Sequence, residues 1–236
     1  MINKKISILI PVYNSAENLK NFITNLHKST KRKYLARMVD NKVACMKESK
    51  KYGKNYWDGN RRYGYGGYRY IAGRWSKVAK KLIQTYNLKS GSKVLDVGCG
   101  KGFLLYEMLK ILPGLKIHGF DISSYALKKN FKNKNLIIFK HDAGKKIPFK
   151  NNNFDLVISI NTLHNLKIFD LEKAIKEINR VGKKKYIAVE SYTNDQQLFN
   201  LQCWALTCQS FFSNDEWKWL YKKLKYSGDF EFIYFD

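Results

Sequence analysis

Acidic residues are scarce in this sequence. The 236 residues include 19 Asp and Glu against 44 Lys and Arg, which gives a formal net charge of +25 at pH 7. Such a surface could bind a polyanion such as RNA. Only seven of the basic residues are arginines, however, and arginine is the side chain that makes forked contacts with phosphate. A chain rich in Lys and Asn is also what an A/T-rich genome produces, and we favour that interpretation, with RNA binding as the alternative.

Cysteines are few, and long apolar runs are absent. Cys45, Cys99, Cys203 and Cys208 form no CxxC pair and no zinc-ligand spacing, so we predict free thiols and no bound metal. No apolar stretch is long enough to cross a membrane. The short apolar stretch near the N-terminus ends at Pro11 without a cleavage site. We therefore expect a cytoplasmic protein with no membrane partner.

From residue 75 onward, predicted strands and helices alternate. The predicted strands cover 93–97, 116–121, 136–139, 154–160, 185–190 and 230–235, and the helices cover 75–86, 103–112, 123–131, 170–180 and 213–224. This alternation predicts an α/β fold, an open and mostly parallel sheet with helices on both faces. We divide the chain into an N-terminal extension, residues 1–73, and a catalytic domain, residues 74–236. The extension is predicted to hold a strand at 6–10, helices at 16–27 and 31–51, and a long loop at 52–73.

A glycine-rich stretch, VLDVGCGKG at residues 94–102, joins the first predicted strand of this domain to a helix. Its glycines let the backbone turn sharply and let a ligand approach without a Cβ in the way. The helix N-terminus behind it favours negative charge. The pattern GxGxG is one residue tighter than the dinucleotide fingerprint GxGxxG. Together with Asp96, two residues before the first glycine, this spacing argues against a dehydrogenase.

Acidic residues also follow the next two strands. Asp121 ends the second strand, where an acid in this kind of sheet faces ribose hydroxyls; capping the next helix is the alternative. Asp142, beside Ala143, could accept a hydrogen bond from an adenine amine or act as a turn residue. The fourth strand runs into a loop that contains Asn161 and His164.

Together these four stretches resemble the class I S-adenosylmethionine-dependent methyltransferase family, from about residue 75 to residue 236. The resemblance implies a Rossmann-like fold and S-adenosylmethionine as the cofactor. By this resemblance, the methionine end would contact Asp96, Gly98, Cys99, Gly100 and Gly102, the nucleoside would contact Asp121, Ile122, Asp142 and Ala143, and Asn161 and His164 would line the reaction centre. The family's sheet usually has seven strands and ends in an antiparallel pair. Here either residues 206–212 form an extra strand or the sheet is short.

The reaction centre would use residues at the ends of the fourth and fifth strands. Methyl transfer from a sulfonium is accelerated by alignment, and an oxygen or carbon nucleophile must also lose a proton. His164 is the candidate base, with a buried structural histidine as the alternative. Glu190 would orient a substrate hydroxyl or cap its loop, and Asn161 would lie beside both.

The loop at 52–73 is rich in Gly, Tyr and Arg, and four of the seven arginines fall between residues 61 and 74. We interpret it as a lid whose arginines grip an anionic small molecule, such as a sugar-linked, phosphorylated or carboxylated metabolite. The residues proposed to bind substrate are Arg61, Arg62, Tyr65, Tyr68, Arg69 and Arg74. RNA or protein methylation, and a purely structural loop, are the alternatives.

The stretch ISILIPVYNSAENL, residues 6–19, is similar to the opening strand and turn of family 2 glycosyltransferases. The similarity ends after about 25 residues and no DxD-type metal motif follows, which excludes a complete domain of that family. If it is a remnant, it favours a substrate from surface-polysaccharide metabolism. The sequence thus predicts a methyltransferase acting on an anionic small molecule, with a non-catalytic nucleotide-binding module as a further alternative; it does not set the oligomeric state.

Overall fold

The computed structural model describes residues 34–236, which form one open parallel sheet, its covering helices and part of the extension. The strands are β1 (Lys93–Val97), β2 (Lys116–Asp121), β3 (Leu136–Lys140), β4 (Phe154–Ile160), β5 (Gly182–Glu190) and β6 (Asp229–Ile233). The helices are α1 (Tyr34–Val39), α2 (Lys42–Ser49), α3 (Lys54–Asp58), α4 (Ser76–Thr85), α5 (Phe103–Ile111), α6 (Ser124–Leu127), α7 (Ile168–Val181), α8 (Asp195–Trp204) and α9 (Asn214–Lys223). Single 3-10 turns cover Arg61–Tyr63 and Leu163–Asn165.

The strand order is β3-β2-β1-β4-β5-β6, and every pairing is parallel. β6 pairs directly with β5, from Tyr186 opposite Asp229 to Glu190 opposite Ile233. Residues 206–212 form no strand, so over the described residues the sheet has six strands and no antiparallel pair. The order reverses between β1 and β4, which places the crevice that binds ligands in such sheets at the carboxyl ends of these strands.

Two apolar cores cover the two faces of the sheet. One lies under α4 and α5 and includes Leu82, Leu105 and Met108, and the other lies under α7 and α9 and includes Ile175 and Trp217. All five are fully buried, and each stabilises the fold by about 1.5–3 kcal/mol through loss of apolar surface to water. The two cores hold the strand ends rigidly, and the site is built on those ends.

Among α6 to α9, helix starts agree with the sequence predictions where a predicted capping residue is present, and differ where it is not. α9 begins after Ser213, which forms a full capping box with Glu216. α7 begins at Ile168, earlier than predicted, without a side-chain cap. α6 is only one turn long, although Ser123 caps it as expected. α8 was not predicted; Asn194 caps it by accepting a hydrogen bond from the Gln197 backbone.

The described part of the extension is more helical than the sequence suggested. A break at Asn41, whose φ is 42°, divides the predicted helix at 31–51 into α1 and α2. The loop at 52–73 contains α3, a five-residue helix between two glycines. The side chains of Arg37 and Lys42 donate hydrogen bonds to the carbonyls of Trp204 and Cys203, at the C-terminal end of α8. These cations oppose the negative end of the helix dipole and attach the extension to the domain.

The predicted strand at 6–10, the helix at 16–27 and the glycosyltransferase-like stretch lie outside the described residues. Across residues 34–236, no helix is long and apolar enough to span a membrane. The same residues contain no group of three or more His, Cys, Asp or Glu side chains arranged to hold a metal ion.

Candidate active site

The glycine loop after β1 is fixed by the end of β2. The backbone N–H groups of Gly98 and Cys99 both donate to the carbonyl of Phe120, at 2.9 Å each. Gly98 and Gly100 have φ of 81° and 56°, the left-handed region that favours glycine. A Cβ at residue 98 would also overlap the side chain of Thr162, at the end of β4. The loop therefore requires glycine for its conformation and for the close approach of its neighbours.

Asp121 ties this loop to the end of β2. One carboxylate oxygen accepts a hydrogen bond from the Gly100 N–H at 2.8 Å, and the other accepts one from the Ser123 N–H at 2.8 Å. The residue is 8% exposed. Burial raises its pKa, and the backbone donors oppose that rise. A carboxylate oxygen has lone pairs for more than one donor, so this site can also accept a ligand's hydroxyls.

Asp96 is the unsatisfied acid of the site. It is 6% exposed, and its carboxyl group receives no hydrogen bond from the described residues. Burial, reinforced by the charge of Asp121, raises its pKa to about 8. A buried carboxyl group without a partner is costly. It fits a ligand that supplies an ammonium group or other hydrogen-bond donors at this position.

Asn161 lies at the end of β4 with a strained backbone. Its φ is 57°, and its N–H donates to the carbonyl of Ala188 at 3.0 Å. Its side-chain carbonyl oxygen is buried and has no partner. A non-glycine residue in this conformation, with an unsatisfied polar atom, is typical of a functional site.

The remaining predicted nucleoside contacts surround this crevice. Cys99 is half-buried, and burial raises its pKa, so it is a neutral thiol. Ile122 is 47% exposed, as expected of an apolar side chain available to a ring. Asp142 accepts a hydrogen bond from the Gly144 N–H at 2.8 Å through one carboxylate oxygen, and Ala143 is buried.

His164 and Glu190 form a pair at the ends of β4 and β5. The Glu190 backbone N–H donates to His164 Nδ1 at 3.2 Å, and His164 Nε2 lies 3.4 Å from Glu190 Oε2. His164 is 3% exposed, and burial lowers its pKa although the Glu190 charge opposes this. The histidine is therefore neutral, with its proton on Nε2 facing the carboxylate. Both ring nitrogens therefore face Glu190, Nδ1 through a hydrogen bond and Nε2 through the 3.4 Å contact.

The extension covers the glycine loop with aromatic rings. The Trp57 ring lies against Gly100, where a Cβ would be 2.9 Å from its edge, and its indole N–H donates to Ser123 Oγ at 2.8 Å. Tyr65 stacks on Trp57 at 5.3 Å between centroids. Tyr68 lies 4.6 Å from Tyr65, also measured between ring centroids. We call residues 52–75 the lid, because Trp57 and the rings stacked on it lie over the glycine loop.

Tyr65, in the lid, is influenced by carboxylates from two strand ends. Burial raises its pKa to about 12, with further contributions from the charges of Glu190 and Asp121. The Tyr65 hydroxyl group thus lies within electrostatic range of the carboxylates at the ends of both β2 and β5.

An ion pair fastens the lid to the glycine loop. Lys101 Nζ contacts the two Asp58 carboxylate oxygens at 2.7 and 2.8 Å and the Tyr68 carbonyl at 2.7 Å. The Lys101 side chain is 5% exposed and that of Asp58 is 25% exposed. Tyr125, on α6, donates a further hydrogen bond to Asp58 at 2.9 Å. We call the Asp58–Lys101 pair the latch.

The four lid arginines do not converge on one point. Arg62 pairs with Asp40 at the surface, at 2.7 Å. Arg69 is exposed and lines a cavity of about 380 Å³, with Tyr70, Lys129 and Phe131 among its other lining residues. Arg61 is exposed, donates to the Gly64 carbonyl and lies over the Trp204 ring of α8, 4.9 Å from its centroid. The charge of Arg74 lowers the pKa of Tyr68, against the larger effect of burial.

Sequence reasoning missed Trp57, Asp58 and Lys101 as residues of this site. Trp57 and Asp58 lie in the aromatic segment whose arginines drew attention. Lys101 is one of many lysines in a chain of high positive charge. The one sequence signal for Lys101 was its position between Gly100 and Gly102. A long side chain in such a tight loop has little room to extend into solvent.

Comparison with known protein families identifies one family that matches this chain. Residues 88–228 match the family described as a methyltransferase domain, which is more than half of the chain. The chain therefore belongs to this family of methyltransferase domains.

Among curated relatives, an uncharacterised protein of Methanocaldococcus jannaschii is 34% identical over 123 residues, which cover 51% of this chain and 45% of that protein. The mitochondrial arginine-hydroxylase of Mus musculus is 32% identical, over 46% of this chain and 31% of the relative. Demethylmenaquinone methyltransferase of Staphylococcus saprophyticus is 30% identical, over 60% of this chain and 66% of the enzyme. The matched region thus spans about half or less of the first two relatives.

Solved structures support the fold. A Haloferax volcanii complex between the methyltransferase activator Trm112 and the methyltransferase assigned to it has a TM-score of 0.52 at 17% identity. The match covers 83% of this chain and 77% of that one. At this identity the similarity shows the fold alone.

Proposed function

We propose that this chain is an S-adenosylmethionine-dependent methyltransferase that acts on an anionic small molecule. The observation that carries the cofactor assignment is the buried carboxyl group of Asp96, which lacks a partner beside glycines in left-handed conformations. S-adenosylmethionine supplies a reactive methyl group on a sulfonium, together with an ammonium group, ribose hydroxyls and an adenine ring. From β1 to β3, the site offers Asp96 for the ammonium group, Asp121 for the ribose hydroxyls and Asp142 for the adenine ring.

The chain's own residues would hold this cofactor by charge and hydrogen bonding. Asp96, with the backbone of the glycine loop, would bind the ammonium end. Asp121 would accept hydrogen bonds from the ribose hydroxyls, while Ile122 would pack on the adenine and Asp142 would accept from its amine. The side-chain oxygen of Asn161, which has no protein partner, would accept a hydrogen bond near the reaction centre.

The lid supports a small acceptor. Trp57, Tyr65 and Tyr68 pack on one another over the glycine loop and cover it. Four arginines lie in or beside the lid, so an anionic group bound there would meet positive charge. Closure of such a lid also excludes water from the reacting groups.

RNA is the second candidate acceptor, and one surface favours it. The segment from Ile122 to His141 contains five lysines and no acidic residue. A cavity of about 550 Å³ borders the outer strand β3 and is lined by Lys132, Lys134 and Phe131, among others. Positive charge beside an aromatic ring suits a single-stranded nucleic acid.

The test is turnover with a divided cell extract. Purified protein receives S-adenosylmethionine with a labelled methyl group, together with either the small-molecule or the macromolecular fraction. We expect release of S-adenosylhomocysteine with the small-molecule fraction, and label in compounds retained by an anion-exchange resin. Turnover only with the macromolecular fraction, abolished by ribonuclease, would replace the small-molecule assignment with RNA.

A further inference from the structure

In the His164–Glu190 pair, at the ends of β4 and β5, the donor and acceptor atoms are defined. The Glu190 N–H occupies His164 Nδ1, so the histidine's one ring proton is on Nε2 and faces the Glu190 carboxylate. The turn that carries His164 is also fixed, because the His164 backbone carbonyl accepts hydrogen bonds from the N–H groups of Gln209 and Ser210 at 2.9 and 3.0 Å. A neutral, immobile histidine cannot swing toward a substrate. It can hold one carboxylate oxygen and leave the other available.

Glu190 lies at the carboxyl end of β5 and acts electrostatically on the lid. Its side chain is 14% exposed, compared with 4% for His164. Its charge raises the pKa values of Tyr56 and Tyr65, in the lid, and of Cys208, after α8, in each case beside the larger effect of burial. The other ionic groups that act on Tyr65 are Asp121 and Arg61. Among these groups, Glu190 is the carboxylate at the β5 end and Asp121 is the carboxylate at the β2 end.

From this arrangement we propose that Glu190 is the proton acceptor of the methyl transfer, that His164 is its positioning residue, and that the acceptor substrate reacts through a hydroxyl or ammonium group. The proposal rests on the function proposed above. The O–H or N–H proton passes to the free Glu190 oxygen, the lone pair it leaves bonds to the methyl carbon, and the C–S electron pair stays on sulfur. This assignment moves the base from His164, whose nitrogens are both engaged, to its partner.

Sinefungin tests this placement without the natural acceptor. This analogue of S-adenosylmethionine carries a protonated amine where the methyl group would be, so its amine reports a carboxylate facing the reaction centre. Binding of S-adenosylhomocysteine and of sinefungin would be measured by calorimetry for the native chain, for Glu190→Gln, and for Glu172→Gln as a control. Glu172 is a surface residue of α7 that pairs with Lys176.

We expect the native chain and Glu172→Gln to prefer sinefungin. Glu190→Gln should lose about tenfold or more of the sinefungin affinity, the usual effect of removing a hydrogen bond to a charged group, and should keep its S-adenosylhomocysteine affinity within about twofold. Equal loss of affinity for both ligands, or no loss of affinity for either, would overturn the proposed role of Glu190 and leave the proposed function standing. Absence of S-adenosylhomocysteine binding by the native chain would overturn the proposed function as well.

A second measurement addresses His164 and does not depend on ligand binding or on a variant. Nitrogen NMR of the native chain, which has only four histidines, should show His164 neutral at pH 7 with its proton on Nε2. A proton on Nδ1, or a charged ring, would contradict the positioning role.

Discussion

Replacing Asp58 with Asn should loosen the lid by breaking the latch. The substitution keeps the side-chain shape but leaves the Lys101 ammonium group, which is 5% exposed, without a counter-charge. Removing one partner of a fully buried ion pair costs about 3–5 kcal/mol. Because Asp58 is 25% exposed and Asn still accepts hydrogen bonds, we expect a loss of about 2 kcal/mol. In a chain of this size, that loss lowers Tm by about 4–8 °C.

The lid supplies its own control. Arg62 and Asp40 form an ion pair with the same 2.7 Å separation, but their side chains are 38% and 46% exposed. Such a pair contributes about 0–1 kcal/mol, so Asp40→Asn should change Tm by about 4 °C or less. Thermal unfolding followed by circular dichroism gives both values. A third chain, Asp58→Asn with Lys101→Met, should recover most of the lost stability because no buried charge remains unpaired.

Equal effects of Asp58→Asn and Asp40→Asn would refute the reasoning, since they would show that burial of the latch has no energetic consequence. A double variant as unstable as the sum of its parts would do the same, because it would show that the two side chains do not interact.

Further predictions concern the cofactor crevice. Asp96 has a pKa of about 8 in the native chain against an ordinary 3.8, so the native state loses stability relative to the unfolded state as pH rises from about 4 to 8. Asp96→Asn should therefore stabilise the ligand-free protein by on the order of 4 kcal/mol at pH 7, and little at pH 4, in urea unfolding; a pH-independent difference would argue against a raised pKa. Because a bound ammonium group would ionise Asp96, S-adenosylhomocysteine binding at pH 7 should release close to one proton, seen as a dependence of calorimetric heat on buffer, and Asp96→Asn should abolish the release. Trp57→Phe should cost about 1 kcal/mol through loss of the indole hydrogen bond to Ser123, and an unchanged stability would show that this contact contributes nothing.

The sheet could be predicted from sequence because its signals are local. The apolar run at 93–97 and the glycines after it defined β1 and the loop with the bounds that the structure has. α8 was missed because its segment, DQQLFNLQCW, has no clear apolar face and depends on Asn194 for its start. The short α6 shows the converse, where Ser123 predicted a start correctly but the following residues carried no signal for its end.

The site was harder to predict because its contacts join distant parts of the chain. Asp58 meets Lys101 across 43 residues, and Trp57 meets Ser123 across 66. Neither pairing has a periodicity or a spacing that sequence could reveal. The carboxyl ends of β1 and β2, by contrast, must meet at one edge of a parallel sheet, so Asp96 and Asp121 could be placed near each other in advance.

The most direct test of the account is a calorimetric titration of the full chain with S-adenosylhomocysteine and, separately, with NAD. The account predicts one S-adenosylhomocysteine site per chain, weakened at least about tenfold when Asp121→Ala removes the acceptor for the ribose hydroxyls, and no measurable binding of NAD. Binding of NAD, or no heat with S-adenosylhomocysteine, would contradict the assignment of the crevice as a methyl-donor site.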